Sequence, residues 1–162
     1  MSINQDSFAQ FLLLSADLTD FEQVELLGTG MAEPYYQQVL SVVGVKIADE
    51  LWAVTRQLSG LTGDELETAI RREIMANPKF GPIARNIIQL WYWGSWIELP
   101  NDWRSRYGIN QNDKTNFVGA AGYQEGLIWK VMNSHPEGAK QPGFGSWSMA
   151  PDSALHSKND NG

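Results

Sequence analysis

Histidines, the side chains best suited to acid–base or metal chemistry near neutral pH, are scarce in this sequence of 162 residues. His135 and His156 are the two present, and no cysteine accompanies them. A metal site needs several convergent ligands, which this pair does not supply. His135 precedes Pro136 at the end of a predicted helix, where a cation is favourable. A structural capping role is therefore favoured for it over catalysis, and no metal site is expected.

Paired carboxylates could hydrolyse a glycoside if two of them faced one cleft. Asp49-Glu50 and Asp64-Glu65 are such pairs in sequence, but both fall at predicted helix N-termini or on solvated faces. Glu98 and Glu125 have aromatic neighbours and are better candidates. A hydrogen-bonding structural role is still favoured for both, so no catalytic residue is predicted in this chain.

Two Gly-x-Gly segments, Gly28-Thr29-Gly30 and Gly143-Phe144-Gly145, could suggest a nucleotide-binding loop. The dinucleotide motif has a third glycine and follows a strand. Glu33 and Ser148 occupy the positions of that third glycine, and neither segment follows a predicted strand. These glycines are typical of helix ends and turns, so no cofactor-binding residue is predicted. The nucleophile motif Gly-x-Ser-x-Gly is absent as well.

Composition excludes several functional classes. The absence of cysteine rules out disulfides, iron–sulfur ligation and thiol nucleophiles. The formal charge of −7 at pH 7, with no run of basic residues, argues against nucleic-acid binding. The longest apolar stretches, Phe11 to Leu14 and Val39 to Val45, are far shorter than the roughly 18 residues of a membrane-spanning helix. Without a signal peptide in its first residues the chain is expected in the cytoplasm, or in the periplasm if a leader has been removed.

Aromatic side chains are concentrated in the second half of the chain, where positions 91 to 147 hold six of the seven tryptophans. Successive helical residues turn by about 100°, so Trp91 and Trp93 must point in different directions. Phe144 and Trp147 lie in a segment rich in Gly and Pro that lacks helical or strand periodicity. The rings either fill the core, form a sugar-stacking platform or contact a partner protein. The candidates for partner contact are Trp91, Trp93, Trp96, Trp103, Tyr123, Trp129, Phe144 and Trp147.

The elements that would position these rings are predicted to be helices. Apolar residues recur at helical spacing through the first two-thirds of the chain, and glycines such as Gly28 and Gly60 mark helix ends. The segment from Ile97 to Thr115 is predicted as a long ordered loop. We therefore expect an all-α protein, a small multi-helix bundle over residues 1–150 with a long irregular, aromatic-rich C-terminal third. Residues 151–162 are expected to form a flexible polar tail.

Two predicted boundaries bear on the core. A helix that starts at Pro34 is predicted to end near Val43, and the next helix to begin near Asp49. The most apolar helix follows Gly81-Pro82, ends at Gly94 and is predicted to be the central one.

Four segments of this sequence are similar to those of one known family: Phe11 to Thr19, Asn86 to Gly94, Tyr123 to Lys130 and His135 to Trp147. They resemble the small subunit of bacterial FAD-dependent sugar and polyol dehydrogenases, the group that includes membrane-bound sorbitol dehydrogenase and the glucose dehydrogenase complexes. The resemblance covers nearly the whole chain. Its C-terminal block is specific because it joins many uncommon residues in a fixed order.

The resemblance implies a division of labour between subunits. A large flavoprotein subunit carries FAD and the catalytic histidine, and a multihaem cytochrome c subunit often accompanies it. The small subunit supports the folding, flavin loading and stability of the large one, and in many members it brings a twin-arginine leader, which this sequence lacks. On this resemblance the chain is a non-catalytic subunit with no cofactor of its own.

Two other functions stay open at this point. The alternative is a free-standing carbohydrate-binding module or sugar-modifying enzyme that uses the Trp and Tyr cluster as a stacking platform. A third hypothesis is an adaptor for a partner outside redox chemistry.

Overall fold

The computed structural model of the protein describes residues 3–119 together with residues 126 and 127. Part of the predicted partner-contact set lies outside these ranges, as does the tail predicted from Pro151. The aromatic residues concerned are Tyr123, Trp129, Phe144 and Trp147.

Helices make up nearly all of the regular structure in the described part, which confirms the predicted all-α class. In chain order the elements are α1 (Gln5–Thr19), α2 (Gln23–Gly28), α3 (Ala32–Leu58), α4 (Gly63–Ile70), a π-helical turn (Arg71–Met75), α5 (Phe80–Trp93), β1 (Ser95–Trp96), α6 (Asn101–Tyr107) and β2 (Asn116–Phe117). None of the helices in this part of the chain has both the length and the apolar character that a membrane span requires.

A cluster of aromatic rings joins α1, α3 and α5 at the centre of the core. The ring of Phe11 lies 5.7 Å from that of Tyr36, 5.9 Å from that of Trp52 and 6.3 Å from that of Trp91, measured between centroids. Tyr35 meets Trp91 edge to face at 4.9 Å. Aromatic pairs at such distances contribute about 0.5–1.5 kcal/mol each beyond the burial of their area. Ring packing therefore holds the three helices together at one point.

α5 is the central helix, as its composition predicts. Its buried side chains come from every turn, and it contacts α1, α3, the π-helical turn and β1. The Tyr92 hydroxyl, whose pKa is raised by burial to about 12, donates to the Thr19 carbonyl oxygen of α1 at 3.2 Å. Gly94 has φ 72° and ends the helix at the predicted residue, because glycine adopts this left-handed conformation without steric cost.

α3 runs through a kink where the sequence predicts two separate helices. Gly44 has φ 82° and ψ 160°, which are not helical values, and helix continues on both sides of it. Before the kink α3 buries Tyr35 and Tyr36, and after it Leu51 and Trp52. The change of direction at the glycine lets both halves of α3 face the same core. The predicted helix end near Val43 is therefore confirmed, because the helical geometry breaks at Gly44. The second half begins directly after this glycine and not near Asp49.

α6 is a helix within the segment from Ile97 to Thr115, where the sequence predicts a loop. Pro100 precedes this helix and Gly108 follows it, an order typical of helix ends. Trp103 supplies its buried face, and the indole Nε1 donates to the Lys79 carbonyl oxygen at 2.8 Å. One buried side chain in a helix of 7 residues is too short a pattern to distinguish helix from loop.

The start of α5 packs closely against the end of the π-helical turn. The Ala76 N–H donates to the Arg71 carbonyl oxygen at 2.9 Å, a bond that spans one residue more than an α-helical bond. A Cβ atom on Gly81 would lie 2.6 Å from the Met75 carbonyl oxygen and 3.0 Å from Nη1 of Arg85. Glycine is therefore the residue that fits at this contact.

We expect Gly81→Ala to lower the free energy of unfolding by about 1–3 kcal/mol, because the added methyl group must displace backbone atoms. Gly60→Ala is the matched control, since nothing lies within 4 Å of the Cβ position there. Alanine at that position is expected to be neutral or to stabilise by at most about 1 kcal/mol. Urea denaturation followed by circular dichroism measures both variants. Equal stability of the two would contradict the close contact at Gly81.

Asp17, on α1, is a half-buried carboxyl that makes stability depend on pH. Burial raises its pKa from 3.8 to about 6. Between these two values the folded state holds a proton that the unfolded state releases. The contribution of Asp17 to stability is therefore complete below a pH of about 4 and is lost as the pH rises through about 6.

Asp17→Asn is expected to match the unsubstituted chain at acid pH and to exceed its free energy of unfolding above a pH of about 6. The gain is on the order of 1 kcal/mol, because partial exposure screens the charge. Urea unfolding across this pH range measures the difference. Asp64→Asn removes one exposed carboxyl and tests whether the loss of charge alone has this effect. A constant difference at every pH would exclude the proposed origin.

Candidate functional site

The structure separates the predicted partner-contact residues of the described part by burial. Trp91, Trp96 and Trp103 are 1%, 0% and 5% exposed and pack inside the chain, where they offer a partner no surface. Trp93 is 41% exposed. The difference between Trp91 and Trp93 follows from the helical turn, which places them on different sides of α5. Among these four residues, Trp93 is the one that stays a candidate for partner contact.

A short two-stranded ribbon, formed by β1 and β2, follows Trp93. The register pairs Ser95 with Phe117 and Trp96 with Asn116. Both residues of β1 are buried, with Trp96 in the core, whereas Ile97, which follows the strand, is exposed. Ile97 is 45% and Phe117 is 58% exposed. We call Trp93, Ile97 and Phe117 the ribbon surface.

Asn86 ties this ribbon to α5. Its side-chain oxygen accepts from the Ile97 N–H at 2.8 Å, and its Nδ2 donates to the Ile97 carbonyl oxygen at 2.8 Å. Gln89, one turn later on α5, donates from Nε2 to the Ser95 hydroxyl at 2.9 Å. Asn86 is buried, so these bonds are protected from competition with water. The backbone beneath the ribbon surface is therefore held to the central helix.

Asp113 anchors the other side of the ribbon. Its carboxylate accepts from the Trp96 indole Nε1 at 2.9 Å and from the Leu99 N–H at 3.0 Å. The Arg104 guanidinium forms an ion pair with it, with Nε 3.5 Å from Oδ2. Asp113 is 2% exposed, and a carboxylate buried this deeply is tolerated because several donors surround it. One charged group thus fixes the loop that returns to β2.

Glu98 is one of the two acids with aromatic neighbours in sequence, and its surroundings support the structural interpretation. The carboxylate forms an ion pair with Arg104 at 3.3 Å, and the backbone N–H of Glu98 donates to the Thr115 hydroxyl at 2.9 Å. Arg104 therefore bridges Glu98 and Asp113, which satisfies both acids. Glu125, the other acid with aromatic neighbours, lies outside the described residues.

Other large apolar side chains are exposed on separate elements. Val24 and Leu27 lie on α2, Val45 follows the kink in α3, and Ile109 follows α6. Single exposed apolar residues are normal on a protein surface. The ribbon surface differs from them because its residues lie in or beside the ribbon, which hydrogen bonds hold to α5.

Asn86 and Asp113 determine the geometry of the site, yet neither is among the site residues predicted from the sequence. A signal existed for Asn86, which is a polar residue on the apolar face of the most apolar helix. Asp113 gave no such signal, because its partners Trp96 and Leu99 come from a different part of the chain. Within the described ranges, no group of three side chains is arranged to hold a metal ion.

Comparisons with known proteins find no relative of this chain. No protein-family model matches this chain. The searches of curated proteins and of solved structures likewise find no similar protein.

Asp113→Asn is expected to lower the free energy of unfolding by about 1–3 kcal/mol. The amide removes the negative charge opposite Arg104, and its NH₂ group can place a donor against the N–H donors that the carboxylate now accepts from. Asp49→Asn, an exposed position on α3, is the control and is expected to change stability by at most about 0.5 kcal/mol. Chemical denaturation measures both. A neutral result for Asp113→Asn would show that the carboxylate does not support the ribbon.

Proposed function

We propose that this chain is a non-catalytic small subunit of an FAD-dependent sugar or polyol dehydrogenase complex. It binds the flavoprotein large subunit and supports the folding, flavin loading and stability of that subunit. FAD, and haem where a cytochrome c subunit is present, belong to the partner chains. The resemblance of four sequence segments suggests this identity, and the ribbon surface suggests how binding occurs.

The observation that carries the proposal is a pair of exposed apolar side chains, Trp93 at the end of α5 and Ile97 after β1. Hydrogen bonds from Asn86 hold the backbone of Ile97 in place. Tryptophan is enriched among the residues that dominate interface energies. A rigid support lowers the entropy that binding must remove, which favours a surface that is formed before the partner arrives. An apolar patch on the flavoprotein is the complementary partner for such side chains.

The arrangement fits a binding role better than a catalytic one. The acids near the ribbon, Glu98 and Asp113, are both engaged by Arg104. The polar groups of Asn86 are used to hold the backbone of Ile97. These polar side chains therefore support the ribbon surface, and none of the three is left free for acid–base chemistry.

The test is a pull-down of the tagged chain from its native host, followed by an absorbance spectrum for flavin and haem. Trp93→Gln combined with Ile97→Gln is expected to reduce the recovered flavin by about tenfold or more, because anchor residues of this kind contribute about 2 kcal/mol or more each. Phe144→Ala with Trp147→Ala tests the C-terminal block in the same way. Val24→Gln, on α2, is the control and is expected to leave recovery unchanged, since Val24 is exposed outside the ribbon surface.

Sugar binding is the competing function, since an exposed indole can also stack on a sugar ring. Titration of tryptophan fluorescence with sorbitol, glucose and gluconate distinguishes the two, because a non-catalytic subunit is expected to show no saturable change. A saturable response in the isolated chain, together with no recovered flavoprotein, would replace the subunit proposal by a carbohydrate-binding one. Normal flavin recovery with both double variants would also contradict the subunit proposal.

A further inference from the structure

A cleft of about 260 Å³ opens where the end of the π-helical turn, the start of α5 and α6 meet. Arg85 lines it from α5, and Arg106 lines it from α6. Trp103 and Tyr107 form an aromatic wall, and prolines form much of the rest. At roughly 30 Å³ for each water molecule, the cleft has the volume of about nine waters, which suits a small molecule.

The charges of this cleft set it apart from the rest of the surface. Within an acidic chain, four arginines are ion-paired with an acid: Arg56, Arg71, Arg72 and Arg104. The remaining two of its arginines, Arg85 and Arg106, both line the cleft. Neither of them forms an ion pair with any of the residues that the structure describes. Two guanidinium groups that lack a carboxylate partner therefore share one concave site.

Arg85 and the aromatic walls are held in place by the surrounding structure. Arg85 donates from Nη2 to the Met75 carbonyl oxygen at 3.3 Å, at the end of the π-helical turn. The Trp103 indole donates to Lys79, and its ring lies 5.2 Å from that of Tyr107. Lys79 in turn lies over the Tyr107 ring at 5.2 Å. The cleft is therefore preformed on a rigid support, as small-molecule sites usually are.

We propose that this cleft binds a small organic oxyanion, either a carboxylate or a phosphate ester. Arg85 and Arg106 hold the charged group, because guanidinium groups present planar pairs of donors that match carboxylate and phosphate oxygens. Trp103 and Tyr107 contact the rest of the ligand. Asp102 also lines the cleft and carries the opposite charge. A hydroxyl group beside the anionic group of the ligand can donate a hydrogen bond to the Asp102 carboxylate. This bond offsets the repulsion between the two negative charges. This inference does not depend on the proposed dehydrogenase complex.

Isothermal titration calorimetry of the full chain, at constant ionic strength, tests the site. The probes are succinate, malate and inorganic phosphate at millimolar concentrations. We expect saturable binding of at least one probe, with malate bound more tightly than succinate because of its hydroxyl group. Preference for phosphate over both acids would identify the natural ligand as a phosphate ester, and the reverse preference as a carboxylate.

Arg85→Gln with Arg106→Gln is expected to weaken binding by about tenfold or more, since each lost bond involves two charged groups. Arg56→Gln with Arg72→Gln is the matched control, because it removes the same charge from exposed ion pairs elsewhere. Arg106→Gln alone guards against a folding defect, since the side chain of Arg106 makes no hydrogen bond or ion pair to other described residues. This single variant is expected to weaken binding by itself.

Two results would overturn the proposal. One is the absence of saturable heat with all three probes. The other is an equal loss of affinity in the cleft variant and in the control variant, which would show that net charge alone attracts the anion. A cleft variant that melts at the same temperature as the unsubstituted chain and loses binding supports it.

Discussion

Burial of the Trp91 indole between α1 and α3 is the contact on which the rest of this structure depends. It contacts Phe11 on one side and Tyr35 on the other, and so fixes α5 against both helices. Its Nε1, like that of Trp52, makes no hydrogen bond within the described part of the chain. A buried donor without a partner costs about 1–3 kcal/mol, which the packing and area of these large rings must offset. Ring packing therefore stabilises the contacts of Trp91, and the hydrogen bond from Tyr92 to Thr19 joins α5 to α1 beside them.

α5 then positions two surfaces from consecutive residues. Asn86 is buried and binds the ribbon backbone, while Arg85 is exposed and lines the cleft. Since one residue along a helix rotates the side chain by about 100°, these neighbours serve different sides of the same helix. Both surfaces are rigid because α5 packs against the core. Partner binding and anion binding can thus be tested separately on one scaffold.

Two buried polar side chains near the ribbon, Asp113 and Asn86, are bonded within the chain. Asp113 is surrounded by an indole N–H, a backbone N–H and a guanidinium group, and Asn86 uses both ends of its amide. Arg85 and Arg106 differ from the other four arginines, because no acid of the described part pairs with them. Two unpaired guanidinium groups in one cleft are well placed for an external ligand of opposite charge.

Much of the fold could be predicted from local sequence. The apolar face of α5, its end at Gly94 and the all-α class all follow from spacing and from glycine chemistry, which act within a few residues. The break of α3 at Gly44 also agrees with the helix end predicted near Val43. Prediction failed where the local signal was weak, as in α6, which has a single buried residue.

The site depended on contacts between distant parts of the chain. The sequence grouped Trp91, Trp93, Trp96 and Trp103 as one aromatic cluster, and no local pattern tells which of them are buried. Packing against α1 and α3 buries Trp91, while a bond to Asp113 fixes Trp96. The cleft likewise forms only where three segments meet. The amino-acid sequence therefore determined where helices form and which side chains are available. Tertiary packing determined which of these side chains face solvent, because burial depends on neighbours that are remote in sequence.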